Sequence, residues 1–107
     1  MIHPHESGAA TRLSIDTPMT LSTARELLLT GESFLSDGKD KIIDLAAVGQ
    51  VDSSALAVLL EWQRLCKAAG GKFSLSGVPA NLQALADLYD LGVFQEVPAD
   101  GKAVANT

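Results

Sequence analysis

The chain has 107 residues, 47% of them apolar and 20% charged, a size and balance that suit one globular domain and speak against a second. Thirteen acids against eight bases leave a net charge of −5 without any cluster of Lys and Arg, which disfavours a nucleic-acid partner. The lone Cys66 cannot form an internal disulfide, and the longest apolar run, Ala55 to Leu60, is far short of the ~20 residues that cross a bilayer.

At the N-terminus His3 and His5 stand where a secretory signal would carry basic residues and an apolar core. A cytoplasmic location is therefore expected, with no direct membrane insertion. Residues 1–10 contain Pro4, Ser7 and Gly8 without clear periodicity, and read as a flexible lead-in or a poor edge strand. Leu13 and Ile15 alternate with polar neighbours from Thr11 to Ile15, the pattern of a short strand, closed by the turn residues Asp16-Thr17-Pro18.

Thr20 can cap a helix in which Leu21, Ala24, Leu28 and Leu35, joined by Leu27 and Phe34, keep the spacing of one buried stripe. Gly31 inside it costs about 1 kcal/mol relative to Ala. After Ser36-Asp37-Gly38 the run Lys41-Ile42-Ile43-Asp44-Leu45 reads as a central strand. A second helix runs from the Asp52-Ser53-Ser54 start to Ala69 and stops at Gly70-Gly71.

Phe73 and Leu75 mark a third strand over residues 72–76, and Gly77-Val78-Pro79 opens a helix with Leu82, Leu85, Ala86 and Tyr89 on its buried face. Asp90-Leu91-Gly92 ends that helix, Val93-Phe94 adds a last short strand, and residues 98–107 form a flexible tail. The resulting order β-α-β-α-β-α-β, with short connections, predicts an α/β fold with a mostly parallel four-stranded sheet and alternating helices.

Chemistry concentrates at Asp52-Ser53-Ser54-Ala55-Leu56. Asp and Ser accept hydrogen bonds from the unpaired N–H groups of a first helical turn, and the same N–H groups favour a phosphate. Plain capping needs one such residue. The apolar run from Ala55 to Leu60, however, covers the whole circumference of the helix, so part of it is expected to face the sheet and the rest a partner.

Over residues 11–97 the sequence resembles the STAS domains, on three features in order: Asp44-Leu45 ending an apolar strand, Asp52-Ser53-Ser54-Ala55-Leu56 opening a helix, and Gly70-Gly71 closing it. The resemblance implies a single STAS-like domain that binds other proteins and is not an enzyme. In the anti-sigma-factor antagonists of this family the phosphoacceptor serine matches Ser54, and phosphorylation by a kinase-type anti-sigma factor breaks their complex. Ala55 departs from the glycine usual there.

The stretch from Gly77-Val78-Pro79-Ala80-Asn81-Leu82 to Leu91 looks closer to the MlaB subfamily, STAS subunits that bind the cytoplasmic ATPase of a phospholipid-transporting ABC complex. In that subfamily the polar residue at the helix start matches Ser53. Ser53 and Ser54 are thus both candidates for phosphorylation, and Asp52, Ser53, Ser54, Ala55 and Leu56 for partner binding. The resemblance implies first an ABC accessory subunit on its ATPase, and second an antagonist switched by a serine kinase.

Other readings find less to stand on. No nucleophile, base and orienting group are suggested together, and no cofactor is implied. His3 and His5 alternate and could offer an ion two ligands, but no Cys/His pattern completes a metal site. Gly70-Gly71 ends a helix and is no phosphate loop, and Asp16, Asp44 and Asp52 poorly match the acidic cluster of a response-regulator receiver. Trp62 and Cys66, four apart, are expected in the core; an exposed Trp62 would instead be a partner anchor. Glu61, Asp87, Asp90 and Glu96 read as solvated surface. An uncovered apolar face would make homodimers of the isolated domain plausible.

Overall fold

The computed structural model describes residues 2–8, 10–88 and 95–96. In chain order they form β1 (Ile2–Ser7), β2 (Ala10–Ile15), α1 (Leu21–Leu35), β3 (Asp40–Asp44), α2 (Ser53–Ala68), β4 (Phe73–Ser76), α3 (Ala80–Leu88) and β5 (Gln95–Glu96). The strands make one sheet in the order β1-β2-β3-β4-β5. Pairing is parallel from β2 to β5, with Leu13, Ile43 and Leu75 in one row.

The first pair departs from the expectation of a mostly parallel four-stranded sheet. β1 runs antiparallel to β2, with Ile2 opposite Ile15 and Ser7 opposite Ala10, so the sheet is mixed and five-stranded and begins at Ile2. Only two positions separate the strands, and a link that short can join only antiparallel neighbours. Gly8 opens the link at φ +67°, a conformation that two-residue hairpin turns require. The expected end of α3 at Asp90-Leu91-Gly92, the strand at Val93-Phe94 and the tail over 98–107 lie outside the described residues; β5 is placed at Gln95–Glu96.

Each parallel step between neighbouring strands is bridged by one helix, and a right-handed crossover repeated in one direction puts all three helices on the same face. There α1 packs on α2 and α2 on α3. Leu13, Ile15, Ile43, Leu45, Phe73 and Leu75 point to them from the sheet, at most 3% exposed. Leu27 and Leu35 of α1, Leu59 and Trp62 of α2 and Leu82 of α3 complete the core.

Gly31 earns its place where α1 crosses α2. A Cβ there would overlap the indole nitrogen and ring of the fully buried Trp62, so the residue that weakens the helix locally is what lets the two axes approach. At the other end of α2, Gly70 N–H donates to the Lys67 carbonyl and Gly71 N–H to the Cys66 carbonyl, both at 3.0 Å, which turns the chain into β4.

Candidate functional site

Because β2 and β3 are adjacent and parallel, the turns that leave them emerge at the same edge of the sheet, the usual place for binding groups in α/β folds. Met19 and Val51 pair there in a short parallel bridge. Met19 N–H donates to the Gln50 carbonyl at 2.9 Å and Asp52 N–H to the Met19 carbonyl at 3.2 Å. The bridge sets the first turns of α1 and α2 side by side.

Asp52 stands at the junction. Its extended backbone makes it the N-cap of α2, and one carboxylate oxygen accepts the Ser54 N–H at 2.8 Å. The other accepts the Leu21 N–H of α1 at 3.1 Å. One carboxylate thus satisfies an orphan donor at the start of each of two helices. These bonds hold its pKa below the ordinary value, that from Leu21 first and that from Ser54 second. A carboxylate so held resists protonation, so its negative charge persists at the junction of the two helices. Thr20, before α1, donates its N–H to the Thr23 hydroxyl at 3.0 Å.

Not all of the expected site residues reach the surface. Ser53 is exposed and Ser54 and Asp52 are half-buried, so these three are presented together. Ala55 and Leu56, at 0% and 4% exposure, belong to the core and support the site from beneath. Helical rotation carries them to the sheet side with Val58, Leu59 and Trp62. Of the apolar run only Ala57 and part of Leu60 remain outside. Trp62 and Cys66 are fully buried, so Trp62 is no surface anchor, and burial pushes the Cys66 thiol up.

The apolar surface next to the serines comes from elsewhere. Leu21, 78% exposed, is the residue whose N–H rests on Asp52. As a member of the apolar stripe of α1 it looked like core; it sits at the first helical position, beyond the reach of the sheet. Nothing local in the sequence links it to a residue 31 positions away.

A second polar group lies on the face of the sheet that carries no helix. Arg12 reaches from β2 across β3 to β4, donating from Nη1 to Ser76 Oγ at 2.9 Å and to Asp44 Oδ2 at 3.3 Å. Arg12 Nη2 is buried without a hydrogen-bond partner. Asp44 also accepts the Ala46 N–H at 3.0 Å, closing β3 and starting the loop toward α2. The polar alternation of Arg12, Ser14, Ser74 and Ser76 signals this face, though not the contact across two strands.

His3 and His5 fall on the same side of β1, and His3 Nε2 lies 2.7 Å from Asp16 Oδ2. Among the described residues no three His, Cys, Asp or Glu side chains gather to hold an ion, and no helix is long and apolar enough to cross a membrane.

A family model described as "Mlab, STAS domain" matches residues 2–96. No curated protein matches in sequence. Among solved structures, a candidate anti-sigma factor antagonist from Thermotoga maritima superposes with a TM-score of 0.77 at 15% identity, over 89% of this chain and 84% of that one. The phosphorylated form of the Bacillus cell fate determinant SpoIIAA gives 0.67 at 13% identity, over 92% and 91%. The murine anion transporter Slc26a9 gives 0.66 at 17% identity, over 83% of this chain and 15% of the transporter. At these identities the likeness is one of fold.

Proposed function

The chain belongs to the MlaB-type STAS domain family, and on that premise we propose that it is a non-catalytic accessory subunit that docks on and regulates the cytoplasmic ATPase of a phospholipid-transporting ABC complex. The observation that carries the reading is the shared start of α1 and α2. There the exposed Ser53 and the 78% exposed Leu21 flank one ionised carboxylate. Small side chains at Ser53 and Ser54 let a partner backbone come close, Leu21 offers apolar area, and Asp52 offers a charge to donors on the partner. Ala55 and Leu56 keep this surface rigid from below.

A second reading, an anti-sigma-factor antagonist switched by a serine kinase, draws on the hydrogen bonds of Asp52. A phosphate on Ser54, of about −1.5 to −2 charge, would stand against the carboxylate that holds the Ser54 N–H. Repulsion there would loosen the start of both helices. Ser53, pointing outward, could carry the same group with less effect on Asp52.

Affinity capture of the tagged protein from its own cells, with mass spectrometry of what is retained, separates the two. Recovery of an ABC ATPase with its permease is the expected result; recovery of a serine-kinase anti-sigma factor instead would replace the first reading with the second. Capture that survives both Ser53→Asp and Ser54→Asp would remove the helix start as the docking surface.

A further inference from the structure

The outer face of α1 carries a charge pattern that its own helix leaves unanswered. Arg25, Leu29 and Glu32 are all exposed, Leu29 at 66%. They fall within an arc of about 60° at 3.6 residues per turn. Three and four positions from Arg25 stand Leu21, Ser22, Leu28 and Leu29; from Glu32 they are Leu28, Leu29, Leu35 and Ser36. Neither charge has an opposite charge at helical contact distance. On α2 the comparable surface arginine, Arg64, is held by Glu61 through two bonds of 2.9 and 2.6 Å.

We propose that this face of α1 pairs with the same face of a second copy of the chain, antiparallel, about a two-fold axis beside Leu29. Arg25 and Glu32 lie at equal distances, about 5 Å at 1.5 Å rise per residue, on either side of a point between Leu28 and Leu29. Reversing one helix on the other sets Arg25 of each copy opposite Glu32 of its mate, with the two Leu29 side chains meeting at the axis. The surface is self-complementary in the sense a two-fold contact requires. A parallel arrangement in register would set like charges together, so the charges also choose the direction.

Two exposed ion pairs around one apolar contact make only a weak association, because the loss of rotational and translational freedom consumes most of what they contribute. Sedimentation of the whole protein should show the average mass rising from 11.2 kDa toward twice that value as its concentration approaches the millimolar range. Arg25→Glu alone and Glu32→Arg alone should each hold the protein at the monomer mass, and the double variant, with the charges exchanged, should restore the rise. A wild-type chain that stays monomeric throughout would overturn the proposal. So would a dimer indifferent to the single variants, or a double variant that stays monomeric. All these positions are exposed, and unchanged circular dichroism checks that the fold is kept.

Discussion

α1 and α2 touch at two places that are built on opposite terms. Midway along, Gly31 lies flat against the buried Trp62 indole, a contact of shape that excludes water and leaves the Trp62 nitrogen without a hydrogen-bond partner. At their starts the same helices are joined by the Asp52 carboxylate, a contact of charge made in reach of solvent. Only the second can be contested by a proton, a phosphate or a partner without opening the core. The same pair of helices thus carries a buried contact and a solvent-reachable one, separated along their length.

The sharpest way to break the inner contact is Trp62→Ala, which should cost about 3–5 kcal/mol in urea unfolding, since it empties the largest fully buried side chain. Gly31→Ala tests the same contact with its sign in play. Helix propensity alone gives a gain of about 1 kcal/mol, whereas overlap with the indole gives a loss of about 1–3 kcal/mol; the crossing geometry calls for a net loss.

At the outer contact the effect is smaller and depends on pH. A carboxylate whose folded pKa is lowered stabilises the fold above its unfolded value, near 3.8, and that contribution disappears as pH falls through the lower folded value. Asp52→Asn should therefore reduce stability at neutral pH and shrink the acid-induced loss, visible in melting curves taken from pH 7 downward. A parallel displacement of the two curves at all pH values would mean that the charge of Asp52 is not what joins the helices. The smallest change in stability, within about 0.5 kcal/mol, is expected for Ser53→Asp, even though this variant should abolish capture of the partner.

Period-two and helical patterns were enough to place β2 through α3, because each of those elements buries one face and so writes its spacing into the chain. β1 left no such mark: His3, Pro4 and His5 form a strand because a two-residue turn folds them onto β2, not because of their own preference. The Asp-Ser-Ser start was legible because capping is local chemistry. Which four of the Ala55 to Leu60 residues face the sheet was not, since six apolar residues in succession carry no periodicity. Leu21 and Arg12 were illegible for another reason, as their contacts with Asp52 and Ser76 join residues 31 and 64 positions apart.

The strand order carries a consequence for how the chain is made. Every strand of this sheet pairs with the one that immediately precedes it in sequence, and none waits for a later segment to be inserted between two earlier ones. A nascent chain leaving the ribosome can therefore add its strands in the order in which they emerge, each crossover helix closing over strands already made.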